Sequence, residues 1–248
     1  MVRYQGPRSF MGSDIRGIEK WVKEAMNVAS IHQMAPDQQL LHIFERMIVN
    51  TEIGGSGIMG EVRHEYNEEV PSVYVRNIAG HILNSLPGIE KSYGDFKGIF
   101  KRLVQENVIH EIAHVIHKEN NPNQGEFKMQ NIGEAVAYTT QYLVMNGGLM
   151  TEKDANNIRQ VLGGYDGHED NYFSRRGHFN IETFNKIWET YQVLENRMHP
   201  GEIPKTLLPG LLKCDGWKTV QTFLDDLVKT PYIRSPDLRS PGFRTRRF

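Results

Sequence analysis

Residues 108–117, with the sequence VIHEIAHVIH, constrain the fold of this chain more than any other stretch. They place three histidines and one glutamate among Val, Ile and Ala residues. The preceding apolar residues recur at helical spacing, which predicts one helix from about Phe96 to Lys118. Ionisable side chains are costly to bury unless they are paired or held by an ion. The stretch is therefore either a metal-binding helix or an unusually costly piece of core.

The spacing within this helix matches that of a zinc site. His110 and His114 lie one turn apart on the same face, so both imidazoles can reach a single ion. Glu111 is one position further round, where it can contact a water bound to the metal, as a general base must. The pattern predicts Zn²⁺ held by His110 and His114, with Glu111 as the catalytic base.

A catalytic zinc ion needs a third protein ligand and an open position. Glu134 is the favoured candidate because it comes near the start of a second predicted helix, Ile132 to Met145. The polar loop from Glu119 to Gln130 permits that helix to fold back beside the first. Without a metal, Glu134 would be an exposed glutamate that the helix dipole favours.

Other histidines compete for the third position. His117 lies roughly 10 Å along the helix axis from His110, too far for one ion to join them easily. A metzincin would carry glycine at position 117 and histidine at 120, and this chain has His117 and Asn120 there. His168 or His178, in a later segment predicted as a loop, would instead give a site of three histidines.

The segments HEIAH and GEAVAY together resemble the gluzincin metallopeptidases, especially the compact minigluzincins and ImmA/IrrE-type peptidases. The resemblance covers about residues 96–146. It implies that His110, His114 and Glu134 bind zinc, that Glu111 is the base and that a strand before the motif helix pairs with the substrate. Tyr138 stands where thermolysin-like members carry an aspartate that supports a zinc-bound histidine, so that support is not identified here.

The predicted fold class is α+β and zincin-like. A small sheet or hairpin would pack on the HExxH helix and the glutamate helix, and the C-terminal part would be mostly helical. The strands come from VRHEY (62–66) and SVYVRNI (72–78). Further helices are predicted at Ile15–Val28, Gln38–Val49, Thr151–Leu162, Ile181–Arg197 and Trp217–Lys229.

The predicted organisation is a single catalytic domain between two flexible ends. Residues 1–14 form a flexible N-terminus and residues 15–230 the domain, with the sheet and motif helices up to about 148 and a helical subdomain over 149–230. Residues 231–248 are a disordered basic tail with five arginines and one acidic residue.

Charge and composition limit the partners. A net charge of -1 and a pI of about 6.8 argue against a protein that mainly coats nucleic acid or anionic membrane. The arginine tail is favoured to be only a solvated end, and a basic arm for nucleic acid or an acidic partner is the alternative. Cys214 is the only cysteine, which excludes an internal disulfide. Without a signal peptide or a long apolar run, no membrane association and a cytoplasmic location are expected; delivery by a secretion machine would leave no mark in the sequence.

These features together predict a zinc metalloendopeptidase-like hydrolase that cleaves peptide or protein substrates. Glu111 would take a proton from a zinc-bound water, and a donor opposite the metal would stabilise the oxyanion. The alternative is a zinc-stabilised regulatory or binding protein without peptidase activity, with the arginine tail as its contact to nucleic acid. Candidates for the donor are Tyr138, His168, Tyr172, Arg175, Arg176 and His178.

Overall fold

The structure is a computed structural model. It describes residues 3–5, 9–10, 13–14, 18–46, 48–50, 60–64, 71–75, 96–122, 132–164 and 171–231. Side-chain environments are described for residues 20–36, 38–41, 43, 98, 101–122, 132–163 and 180–231. The predicted disordered tail lies outside the described residues from position 232 onward.

The described chain is built mainly of helices that pack on one another. The first helix of the predicted metal site, α3, packs against α1 and α4, and α4 also contacts α5, α6 and α7. A short 3-10 turn, Pro200–Glu202, precedes α7. The helices are α1 Ile18–Ile31, α2 Asp37–Arg46, α3 Phe96–Asn120, α4 Gly133–Met145, α5 Glu152–Gly164, α6 Asn171–Glu195, α7 Ile203–Leu211 and α8 Trp217–Lys229.

Short strands are described by their backbone alone. Four of them pair in the order β1-β4-β6-β5, with β4 parallel to β1 and to β6 and with β5 antiparallel to β6. The other two pair with each other. The strands are β1 Arg3–Gln5, β2 Ser9–Phe10, β3 Ser13–Asp14, β4 Ile48–Asn50, β5 Gly60–His64 and β6 Pro71–Val75.

The predicted α+β, zincin-like fold class is wrong. Where side-chain environments are described, 81% of residues are helical and none lies in a strand. The buried apolar core in that part, from Trp21 to Leu224, comes from helices and the connections between them. Runs of β-branched and aromatic residues indicate a strand only weakly, because their preference depends on what they pack against. The two predicted runs overlap β5 and β6, which pair antiparallel, but two short strands are too little to set the class of a chain whose described core is helical.

Most helix predictions agree with the structure, and two need correction. The bounds of α8 are as predicted, and α4 begins one residue later than predicted. Helix α6 begins at Asn171, ten residues before the predicted start, and it continues through Gly177. Helix α7 was not predicted because it contains Pro204 and Pro209. Pro204 is tolerated because the first turn of a helix has unpaired amides in any case.

Helices α3 and α4 form an antiparallel pair, and this pairing builds the candidate site. Gly133, at the start of α4, lies beside the ring of His114 near the end of α3. Asn146, just after α4, accepts a hydrogen bond from Arg102 in the first half of α3, with 3.0 Å between the atoms. Within the described ranges, no helix is both long enough and apolar enough to cross a membrane.

Candidate metal centre

Three side chains from α3 and α4 converge on one point. The Nε2 atoms of His110 and His114 are 3.1 Å apart. The carboxylate of Glu134 reaches both imidazoles: Oε2 is 3.3 Å from Nε2 of His110, and Oε1 is 3.4 Å from Nε2 of His114. Each residue offers one ligand atom, and the three atoms all lie within 4.8 Å of one another. This group could hold a metal ion.

Helical spacing and the antiparallel packing of α4 on α3 bring these residues together. Residues four apart lie on one helix face, which aligns His110 with His114. Glu134 is the second residue of α4, so it lies at the end of α4 that faces the last turns of α3. A Cβ atom added to Gly133 would still meet the ring of His114 at an ordinary 3.7 Å. The glycine therefore allows close approach of α4 but is not sterically required.

The site strongly favours positive charge. Burial lowers the pKa of His114, but the charge and hydrogen bond of Glu134, together with the charge of Glu111, outweigh it and raise the pKa to about 9. Burial acts to raise the pKa of Glu134, and the two histidines overcome it and hold that pKa far below its ordinary value. The carboxylate is therefore ionised at neutral pH, and it attracts a proton or a cation to the histidines.

The site is closed on one side and open on the other. The side chain of His110 is 10% exposed, whereas those of His114 and Glu134 are 24% and 31% exposed. Solvent therefore reaches the group at His114 and Glu134. A structural zinc site is closed by four protein ligands, whereas a catalytic site has three and keeps the fourth position open.

Glu111, predicted as the base, lies next to this group but outside it. It is buried, with 4% of its surface exposed. Its negative charge contributes to the raised pKa of His114, so its carboxylate acts on the site electrostatically. In the described part of the chain, the group that could hold a metal consists of His110, His114 and Glu134 alone.

Tyr138 packs directly against the site. Its ring meets that of His110 in an edge-to-face contact, with ring centroids 4.4 Å apart. The Nδ1 atom of His110 is buried and has no hydrogen-bond partner among the described residues. Metal-binding histidines usually donate this second ring N–H to a neighbouring acceptor. The imidazole of His110 is thus restrained by its contact with Tyr138 and not by a described hydrogen bond at Nδ1.

His117 has a different role from the residues of the site. Its Nε2 atom lies 2.7 Å from the backbone carbonyl oxygen of Cys214, far along the chain. Burial lowers the pKa of His117, and the nearby charge of His114 lowers it further, although the bond to Cys214 and the charge of Asp215 oppose this. His117 therefore connects α3 to the segment before α8 and is not a third ligand.

The remaining donor candidates cannot be placed by side chain. His168 lies outside the described residues. Tyr172, Arg175, Arg176 and His178 belong to α6, which the structure describes there by its backbone alone. Their assignment as oxyanion donors stays a prediction.

One residue beside the site was missed by sequence reasoning. Asn180, in α6, is 4% exposed, and its Oδ1 atom accepts a hydrogen bond of 3.0 Å from the backbone amide of Ala135. Ala135 immediately follows Glu134. Because the two partners are 45 residues apart in sequence, no local pattern marks this contact.

Comparison with protein-family models, with curated proteins and with solved structures finds no significant match to this chain.

Proposed function

We propose that this chain is a zinc metallopeptidase with a gluzincin-type ligand set: His110, His114 and Glu134. The spacing of the ligand atoms carries the proposal. Tetrahedral zinc with bonds of about 2.0–2.1 Å separates its ligand atoms by about 3.3–3.4 Å. In this site the two Nε2 atoms are 3.1 Å apart, and each lies 3.3–3.4 Å from a different oxygen of the Glu134 carboxylate. With one atom from each residue, the three donors lie within 4.8 Å of one another, so a small adjustment of the carboxylate would let them share one zinc ion.

The donor types also favour zinc. Two imidazoles and a carboxylate are a common protein ligand set for catalytic zinc, and they leave a fourth position for water or substrate. When bound, zinc supplies a Lewis acid that lowers the pKa of a water molecule to about 7 and polarises a carbonyl group. The exposed side of the site, at His114 and Glu134, is where a substrate would enter.

In this proposal, Glu111 is the general base that transfers a proton from the zinc-bound water. Its position next to His110 in α3 puts its carboxylate beside the ligand group without making it part of that group. There it would accept a proton from the attacking water and pass it to the leaving amine of the cleaved peptide bond.

A second candidate function retains the metal but not the catalysis. Glu111 is only 4% exposed, which favours a site in which the metal joins α3 to α4 and the glutamate only balances charge. The protein would then be a regulatory or binding protein that zinc stabilises. Both candidate functions predict bound zinc, but only the first predicts that the protein cleaves peptides.

Metal analysis of ligand variants tests the site. The purified chain should contain about one zinc ion, and this should be lost in His110→Ala and His114→Ala and bound more weakly in Glu134→Ala. His32→Ala is a matched control, because His32 is also a buried histidine but lies between α1 and α2. It should keep the metal. Equal zinc content in all four variants would overturn the proposed site.

A separate pair of variants tests the peptidase. Glu111→Gln should keep zinc and lower the cleavage of a broad peptide library by about 10²–10⁴-fold, the usual contribution of a general base. Glu106→Gln, five residues earlier on α3 and paired with Arg102, is the control and should cleave as the wild type does. A wild-type protein that binds zinc and cleaves no peptide would support the second candidate. Unchanged cleavage by Glu111→Gln would refute the assigned base.

A further inference from the structure

The first turn of α4 has an unusual arrangement of its amide groups. The first amides of a helix have no partner within the helix, and a side chain at the N-cap residue normally accepts one of them. Here the N-cap residue is Ile132, which makes no side-chain capping hydrogen bond. Ile132, Gly133 and Ala135 are all buried, so water is a poor substitute partner for these amides.

Asn180 supplies the missing acceptor from another helix. Its Oδ1 atom accepts the Ala135 amide at 3.0 Å, in a position that a local cap would satisfy in most helices. The two helices run in the same direction here, since Ala135 lies beside Asn180 and the backbone amide of Met150 donates to the hydroxyl of Tyr191. Helix α6 therefore contacts α4 at its first turn and, at Met150, the connection between α4 and α5.

The residue fixed by this contact adjoins the carboxylate of the site. Glu134 lies between Gly133, which packs on the ring of His114, and Ala135, which is held by Asn180. The Glu134 carboxylate must stay within about 3.4 Å of both imidazoles to complete the group. Small displacements of a positioned group are costly in a preorganised site. A first turn of α4 that frayed or rotated would move this carboxylate away from the histidines.

We propose that Asn180 is a positioning residue for the metal centre: by capping the glutamate helix from α6, it holds Glu134 against His110 and His114. The inference rests on the proposed metal site. It makes α6 part of the support of the centre, although α6 supplies none of the three side chains that could hold the metal.

Zinc affinity, measured by competition with a chelator, tests the proposal. Asn180→Ala should weaken zinc binding about tenfold, in the range seen when a partner that orients a ligand is removed. Asn180→Asp keeps an oxygen acceptor at the same place and should stay within about threefold of wild type. Asn180→Ser, which keeps a polar group but shortens it, replaces the alanine variant if that variant does not fold. Both short variants should bind zinc more weakly than Asn180→Asp.

Asn121→Ala is the matched control. Asn121 is also buried, and its side chain also bonds to the backbone, donating to the carbonyl of His117 at 2.8 Å. Its removal should lower the free energy of unfolding with little change in zinc affinity. If Asn180→Ala binds zinc as well as Asn121→Ala does, Asn180 is only structural and the proposal is refuted.

Amide hydrogen exchange of the metal-free protein separates this inference from the proposed function. Exchange at Ala135 should be about fivefold faster in Asn180→Ala, since a net hydrogen bond is worth about 1 kcal/mol, and unchanged in Asn121→Ala. A wild-type chain that bound no zinc would refute the proposed function. Faster exchange at Ala135 in Asn180→Ala would still support the inference that Asn180 holds the first turn of α4, and with it Glu134, in place. Unchanged exchange at Ala135 in Asn180→Ala would refute the inference that Asn180 holds this turn in place.

Discussion

The ring of Tyr138 meets the ring of His110 edge to face, with an angle of 63° between the two planes. Tyr138 is one turn beyond Glu134 on α4, so one helix face carries both the carboxylate of the site and the ring that borders its most buried histidine. The buried Nδ1 atom of His110 has no hydrogen-bond partner within the described part of the chain. At its Nδ1 side this imidazole is therefore held by packing, while Nε2 faces Glu134 and His114.

Replacing Tyr138 should separate packing from hydrogen bonding. Tyr138→Leu removes the aromatic contact but keeps an apolar side chain, and it should weaken zinc binding roughly two- to tenfold, because an aromatic pair is worth about 0.5–1.5 kcal/mol. Tyr138→Phe keeps the ring and should bind zinc within about twofold of wild type. Chelator competition measures both affinities.

Tyr142→Leu is the control for this pair, because Tyr142 lies one turn further along α4, outside the ligand group. It should leave zinc affinity unchanged. If Tyr138→Leu and Tyr142→Leu weakened zinc binding equally, any loss of packing on α4 would disturb the site. The contact between the Tyr138 ring and His110 would then have no specific role. A strong loss of affinity in Tyr138→Phe would assign the effect to the hydroxyl group.

Metal binding should be linked to a proton. The pKa of His114 is raised to about 9 because Glu134 and Glu111 outweigh burial, so His114 carries a proton at neutral pH in the metal-free protein. A metal ion must displace that proton. The apparent zinc affinity should therefore rise about tenfold for each pH unit between about 7 and 9, and level off above the pKa.

Calorimetry in two buffers of different ionisation enthalpy measures the proton directly. Zinc binding near pH 7.5 should release about one proton per ion. His32→Ala should release the same number, since His32 lies outside the group. If zinc affinity stayed constant across this pH range, zinc would not compete with the proton on His114. The ion would then bind at another site.

Sequence could predict the contacts of the site that form within one helix better than those that form between helices. The alignment of His110 with His114 follows from helical spacing alone. The approach of Glu134 required α4 to fold back on α3, which the polar loop between the helices permitted but did not require. Asn180 could not be predicted, because its contact with Ala135 depends on how α6 packs against α4.

The fold was less predictable than the site. Apolar residues at helical spacing marked α4 and α8 well, since an amphipathic helix carries its own signal along the chain. The strand-like runs carried a weaker signal, and the fold class derived from them was wrong. In α7, Pro204 and Pro209 hid a helix that is held by a buried apolar face formed by Ile203, Pro204, Leu207, Leu208 and Leu211.

The end of α4 offers a test of the packing that supports the site. Gly147 and Gly148 both have positive φ, at 62° and 90°, and the Gly148 amide donates to the carbonyl of Leu143 at 2.7 Å to close the helix. A Cβ atom on Gly147 would meet no other atom within 4 Å, whereas one on Gly148 would overlap the backbone carbonyl of Pro200. That carbonyl also accepts the amide of Ile203, so it cannot move freely.

Alanine should therefore be tolerated at one glycine and not at the other. Gly147→Ala should lower the free energy of unfolding by about 1 kcal/mol, the cost of a left-handed backbone. Gly148→Ala should cost about 3 kcal/mol or more, because overlap with fixed backbone adds to that strain. Gly163→Ala, inside α5 and in ordinary contact with Ile181 at 3.9 Å, should be neutral or stabilising. Urea unfolding measures all three, and equal losses at Gly147 and Gly148 would mean that the turn after α4 does not pack against Pro200 in this way.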